Sequence, residues 1–183
     1  MKHWSTYNGH AFTVKKKYDQ TIYTFDIETT SYLILDGKII PANEYLNLTD
    51  DEHDRLTAQA TMYIWQFSIN DDVYFGRTWE EFTHCLFALK QRLNGLKLLV
   101  YVHNLSYEFQ FSKDRFVWGK IFALDKGKVN YWRAESGIEL RCSYQLTGYN
   151  LATVGRNLQK YKVRKMVGDL DYSKVRTKDT KLS

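Results

Sequence analysis

The chain has 183 residues, of which 44% are hydrophobic and 16% aromatic, and its formal net charge is +5. This length and composition fit one folded domain and exclude an intrinsically disordered chain. No apolar run approaches the ~20 residues of a membrane span, and the N-terminus lacks the apolar core of a secretory signal. With two cysteines and no disulfide framework, we expect a protein of a reducing compartment such as the cytoplasm, without a membrane partner.

The positive charge is concentrated at the C-terminal end. Residues 156–183 contain nine basic and three acidic side chains, which gives +6, so the other 155 residues sum to −1. Such a distribution favours contact with a polyanion such as nucleic acid, although a solvated tail would have the same composition.

The first half of the chain predicts mainly strands. An apolar, β-branched run precedes Asp26, and Asp36-Gly37 is a typical hairpin turn. The acidic stretch 43–58 indicates an inserted loop or a short helix. The predicted strands are 21–27, the hairpin 32–40, 62–69 and 73–76.

The second half begins with the clearest helix. Thr78 can cap it, Glu80 and Glu81 lie in its first turn, and Gly95 ends it. Its apolar face comprises Phe82, Cys85, Leu86, Leu89 and Leu93. After it we predict a buried strand at 97–104, a segment at 105–116 that fits strand and helix equally, strands with tight turns at 120–145 and a helix at 147–160.

This order of elements predicts an α/β (mixed α+β) fold in which helices cover a mixed sheet. We expect one domain over residues 1–183. Residues 1–20 would be an N-terminal extension, and 156–183 a basic C-terminal segment.

Asp26 and Glu28 occupy alternate positions of a predicted strand, so both side chains project from one face. Two adjacent carboxylates repel each other and are costly to bury unless a cation lies between them. Hard cations such as Mg²⁺ prefer carboxylate oxygens. The pair therefore indicates a metal site, unless both acids are ordinary surface charges.

A second polar group follows the predicted strand 97–104. The stretch "HNLSYEFQF" supplies His103, Asn104, Tyr107, Glu108 and Phe111. In α/β sheets, ligands bind at the carboxyl ends of strands. The aromatic side chains could stack on nucleic-acid bases or could simply belong to the core.

Together, "FDIETT" and "HNLSYEFQF" resemble the first two exonuclease motifs of the DEDD superfamily, in the form found in protein-primed family B DNA polymerases of bacteriophages and linear plasmids. The stretch "VGDLDYSKVR" (167–176) resembles a segment just before the last exonuclease motif of that family. The resemblance implies a ribonuclease H-like fold and 3′–5′ exonuclease activity with two Mg²⁺ ions, for which Mn²⁺ could substitute.

The resemblance also implies roles for individual residues. Asp26, Glu28 and Glu108 would be the catalytic acids and metal ligands. The implied contacts to single-stranded DNA are Thr29, His103, Asn104, Tyr107, Phe111, Leu151, Lys165 and Tyr172. The implied partners are a single-stranded 3′ end, primer-template DNA and a terminal priming protein.

The sequence departs from the family pattern at several positions. Glu108 stands where the family more often has Asp, Asn150 stands where a Ser or Thr is common, and Val167 replaces a family lysine. After Tyr172 there is no Tyr-x-x-x-Asp motif to supply a fourth acid, and no polymerase motif follows. We therefore expect an N-terminal, C-terminally incomplete piece of a longer polymerase. The alternatives are a stand-alone 3′–5′ exonuclease, a non-catalytic module that binds single-stranded DNA or the priming protein, and an accidental match.

Overall fold

A mixed β-sheet forms the body of the computed structural model, which describes residues 17–41, 44–160 and 163. The strands are Tyr23–Leu35 (β1), Lys38–Ile40 (β2), Thr57–Ile69 (β3), Asp72–Gly76 (β4), Leu98–Val102 (β5), Trp118–Ala123 (β6), Val129–Ala134 (β7) and Ile138–Cys142 (β8). The helices are Asp50–Arg55 (α1), Trp79–Arg92 (α2), Leu105–Ser112 (α3), Tyr144–Thr147 (α4) and Leu151–Asn157 (α5), and a 3₁₀ turn spans Tyr45–Asn47.

The strand order across the sheet is β4-β3-β1-β5-β8-β7-β6, and β2 pairs with the end of β1. β5 is parallel to β1 and β8 is parallel to β5, whereas the other pairs are antiparallel. The carboxyl ends of these three central strands therefore meet at one edge. This mixed sheet flanked by helices confirms the predicted fold class and is compatible with a ribonuclease H-like fold.

Helix α2 packs on one face of the sheet. It begins with a capping box in which the Glu81 backbone N–H donates to Thr78 Oγ1 at 3.2 Å and the Thr78 N–H donates to the Glu81 carboxylate at 3.0 Å. The Phe82 ring stacks on Phe25 of β1 with centroids 4.2 Å apart, and Phe82 and Leu86 are fully buried. The amphipathic pattern of this helix thus determines which side of β1 becomes core.

Helix α3 packs on the same face, over β7 and β8. The Phe109 ring lies 4.9 Å from Trp132 of β7. The Phe116 ring contacts both Trp132 and Phe82 and so links the two helices. We call the opposite side of the sheet, which carries Thr24, Asp26, Ser68, Tyr101 and Arg141, the polar face.

Several local predictions are confirmed. Asp36 and Gly37 have φ angles of 49° and 80°, the left-handed geometry that a two-residue hairpin turn requires. The acidic stretch contains the 3₁₀ turn and helix α1, and the ambiguous segment 105–116 contains helix α3. Most of the predicted extension 1–20 and basic segment 156–183 lies outside the described residues. In the part of the chain that is described, no helix is long and apolar enough to cross a membrane.

Candidate active site

Strand β1 places the first two predicted acids away from the core. Tyr23, Phe25 and Ile27 are buried beneath α2, so the alternating positions Asp26 and Glu28 lie on the polar face. Asp26 is exposed and Glu28 is half-buried.

A β-bulge follows Glu28. Glu28 pairs with Ile64 of β3 whereas Thr29 pairs with Met62, so Tyr63 is the extra residue on the partner strand. Bulges bend a strand and redirect its side chains, and they occur frequently beside active sites. The alternation of β1 changes here, since Thr30 is buried.

Strand β5 brings the second motif to the same edge. Val102, its last residue, pairs with Phe25, so Asp26 lies one residue beyond the end of β5. Asn104 then adopts a left-handed conformation with φ 67° and ψ 51°, which Asn tolerates better than most residues, and the chain enters α3. This tight connection carries the first turn of α3 to the carboxyl edge of the sheet.

Glu108 meets Asp26 at this edge. Its side chain is only 3% exposed, and its Oε2 atom has no hydrogen-bond partner among the described residues. Burial raises the pKa of Glu108 to about 8. The charge of Asp26 and the hydrogen bond between the two side chains contribute smaller increases. At neutral pH the two groups therefore form a carboxyl–carboxylate pair.

Such a pair fits one hard cation. Mg²⁺ is commonly held by one or two carboxylates, with waters and phosphate oxygens as its remaining ligands. The buried Glu108 oxygen without a partner is a potential ligand atom. Within the described residues, however, no group of three or more His, Cys, Asp or Glu side chains is arranged to hold a metal ion. These residues therefore do not provide a ligand set for two ions.

An aromatic surface lies beside the acids. Tyr107 OH and Thr29 Oγ1 are 2.5 Å apart, in a hydrogen bond that joins α3 to the bulged part of β1. The Tyr107 side chain is 40% exposed, and its ring lies 5.2 Å from that of Phe111, one turn further along the helix. The Tyr107 ring is thus available for contact with a planar ligand, and the half-buried Phe111 ring beside it also packs against the core.

His103 and Asn104 have structural roles that the sequence did not reveal. His103 Nδ1 lies 3.2 Å from Ser143 Oγ, and its ring meets Tyr144 edge-on at 5.6 Å. The Asn104 backbone forms the turn into α3, and its carbonyl oxygen accepts from the Tyr107 N–H at 2.9 Å. Both residues thus shape the connection that carries Glu108 to Asp26.

Sequence reasoning missed Ser143 and Tyr144. They directly follow β8, which is parallel to β5, so they reach the same edge as His103. The sequence does show a polar and an aromatic residue directly after a buried strand. That pattern indicates a shared site with His103 only once β8 is known to lie next to β5.

The remaining predicted contacts are Leu151, Lys165 and Tyr172. Leu151 is the exposed first residue of α5, which Asn150 caps by accepting from the Thr153 N–H at 2.9 Å. Lys165 and Tyr172 lie outside the described residues.

Comparisons of the chain with protein-family models, with curated proteins and with solved structures find no match.

Proposed function

We propose that this chain is the proofreading 3′–5′ exonuclease portion of a DNA-directed DNA polymerase of the protein-primed family B type. The observation that carries the proposal is the pairing of Asp26 with the buried Glu108 at the carboxyl edge of the central strands. These residues come from two separate motifs, "FDIETT" and "HNLSYEFQF", and both motifs contribute an acid to one place in the fold.

Asp26 and Glu108 would hold one divalent cation, Mg²⁺ or alternatively Mn²⁺. The second Mg²⁺ that the resemblance implies would use Glu28 and ligands beyond the Asp26–Glu108 pair, since the described residues group no three such side chains. When bound, such ions would activate water and stabilise the leaving 3′ oxygen during hydrolysis of the terminal phosphodiester. Glu108 must lose its proton to act as a ligand, and the nearby positive charge of a cation would favour that loss.

The aromatic surface would hold the DNA end. Tyr107 and Phe111 would contact the terminal bases, and Thr29, hydrogen-bonded to Tyr107, would position the last nucleotide beside the acids. Mispaired ends would be preferred substrates because they separate from the template at the lowest cost.

In the intact protein we propose primer-template DNA and a terminal priming protein as partners. The cytoplasm, of a host cell if the source is viral, would be its location.

A second candidate function is a non-catalytic module that binds single-stranded DNA or the priming protein. The observation in its favour is that the described residues contain no group of three metal-ligating side chains. A stand-alone exonuclease would use the same acids as the leading proposal.

The test is degradation of a 5′-labelled single strand in Mg²⁺ by the wild-type chain and by Asp26→Ala. We expect shortening from the 3′ end by the wild type and its loss in Asp26→Ala. Asp71→Ala removes an exposed acid in the β3–β4 turn and should keep full activity.

Wild-type binding of the strand without cleavage would favour the non-catalytic module. Unchanged Mg²⁺-dependent degradation by Asp26→Ala would refute the assignment of the metal site.

A further inference from the structure

A buried carboxylate organises two arginines on the polar face, away from the candidate active site. Glu139 of β8 is 1% exposed, and each of its oxygens accepts from one guanidinium. Arg133 Nε and Nη2 approach Oε2 at 2.7 and 2.6 Å, and Arg141 Nε and Nη2 approach Oε1 at the same distances. Tyr18 OH donates to Oε2 at 3.0 Å.

This arrangement fixes the orientation of both guanidinium groups. Because Nε and Nη2 of each arginine face Glu139, Nη1 is directed away from it, and each arginine side chain remains about one-third to two-fifths exposed. Arginines held in this way are suited to a second planar or tetrahedral anion, since little side-chain entropy is lost when that anion binds.

Lysines extend the positive charge. The Lys97 ammonium lies over the Tyr18 ring, and Arg141 approaches the same ring. The pKa of Lys97 is lowered mainly by desolvation, and to a smaller extent by repulsion from Lys17 and Arg133. Lys90 also acts on Lys97, so the cluster contains five cationic side chains and one acid, Glu139, which gives a net charge of +4.

The neighbouring acid does not neutralise this cluster. The Asp19 carboxylate accepts from the Thr21 N–H at 3.0 Å and from Tyr23 OH at 2.9 Å, and its single negative charge still leaves a net charge of +3. The terminal stretches outside the described residues carry no net negative charge either, because residues 1–16 contain three lysines and no acid, and 164–183 contain six basic and three acidic residues. An external polyanion is the complementary occupant.

Aromatic residues continue the surface across the sheet. Strand pairing places Phe122, Tyr131, Arg141, Tyr101 and Thr24 in one row on the polar face. Phe122 is 41% exposed and stacks on Tyr131 with centroids 5.5 Å apart. The row crosses five strands, a span of about 19 Å at the usual strand spacing.

We propose that this basic and aromatic part of the polar face binds a single-stranded nucleic acid. The lysines and the Glu139-held arginines would contact phosphates, and Phe122 at the end of the row would contact a base. Alternating cations and rings are how proteins hold single strands without reading their sequence, whereas a duplex would leave Phe122 without a base to contact.

The cationic part of this surface is distinct from the candidate active site, whereas Thr24 at the far end of the row lies two residues before Asp26. Glu139 lies on β8, two strands from β1, and pairs with Leu99 of β5. Leu99 lies about four residues, or about 13 Å, before the level of Asp26 along the strands. The proposal therefore does not depend on hydrolysis.

The test measures binding of a labelled oligothymidylate of roughly 16 nucleotides by fluorescence anisotropy, in EDTA so that no hydrolysis occurs. Lys17→Gln with Lys97→Gln should weaken binding several-fold and reduce the slope of log affinity against log salt by about 1.4, or 0.7 for each lost phosphate contact. The matched control is Lys38→Gln with Lys126→Gln, two exposed lysines elsewhere, which should keep the wild-type slope.

Phe122→Ala tests the base contact. It should weaken binding at least about fivefold, the smallest loss expected for one base–aromatic stack, whereas Phe87→Ala, at an exposed ring on α2, should not. Circular dichroism melting would show that each variant is folded.

Wild-type affinity and slope in the Lys17/Lys97 variant, or equal losses in its control, would overturn the proposal. If duplex DNA competes as well as unlabelled single strand and Phe122→Ala has no effect, the single-strand assignment is refuted. If only polyglutamate displaces the oligonucleotide, the surface binds an acidic protein instead. If the Lys17/Lys97 variant loses binding but keeps nuclease activity, both the proposed function and this surface are supported. If the wild-type chain shows no nuclease activity but the variant loses binding, only the proposed function is refuted.

Discussion

At the scale of single residues, Glu108 carries the largest electrostatic cost in the candidate site. Its side chain is buried next to Asp26, and burial favours its protonated form. A carboxyl group with no structural purpose there could be replaced by an apolar side chain of similar volume at little cost. Its presence beside a second acid is therefore more simply explained by a ligand than by stability.

The raised pKa of Glu108 makes stability depend on pH. Between pH 4.5 and about 8 the folded chain keeps a proton that the unfolded chain has lost, so the free energy of unfolding should fall as pH rises, by as much as about 1.4 kcal/mol per pH unit. Glu108→Gln should remove most of this fall. Urea unfolding in EDTA across this range, with the exposed Glu44→Gln as the control, measures the difference.

A wild-type chain whose pH dependence equals that of Glu108→Gln would show that Glu108 is ionised in the folded protein at neutral pH. That result would contradict the carboxyl–carboxylate pair.

At the scale of elements, sequence patterns predicted those segments whose local chemistry is unambiguous. The Asp36-Gly37 turn and the capped helix α2 were predicted because left-handed turn residues and capping boxes act locally. The sequence did not decide between strand and helix for the segment 105–116, because its apolar residues fit the periodicity of both. The packing of Leu105 and Phe109 beneath the helix decides the outcome in favour of α3.

Two identical capping boxes allow a test of where helix stability matters. Thr78 caps α2, which buries Phe82 and Leu86, whereas Thr49 caps α1, which buries no residue. Thr78→Ala should lower the free energy of global unfolding by about 1 kcal/mol, and Thr49→Ala should have little effect because α1 can fray without exposing core. Urea unfolding of the two variants measures both values, and equal losses would contradict the packing described for α2.

At the scale of the whole molecule, strand order decides what the sequence could not. The prediction that Asp26, Glu28 and Glu108 act together came from motif resemblance, and the pairing of Asp26 with Glu108 depends on β5 lying parallel to β1. The role of Ser143 and the cluster around Glu139 depend on β8 lying beside β5. Such long-range neighbours leave no local pattern in the chain, so only the fold reveals them.

The fold also separates two surfaces of different charge. The acids lie at the carboxyl edge of the central strands, and Glu139, which holds the arginines, lies nearer their amino ends. A nucleic acid could therefore contact cations on the polar face while its end lies beside the acids.

The measurement that tests the central claim most directly is Mn²⁺ binding followed by electron paramagnetic resonance. We expect the wild-type chain to bind Mn²⁺, Asp26→Asn and Glu108→Gln to bind it much more weakly, and the exposed control Asp71→Asn to bind it as the wild type does. Equal Mn²⁺ binding by all four proteins, or no binding by the wild type, would contradict the assignment of Asp26 and Glu108 as a cation site.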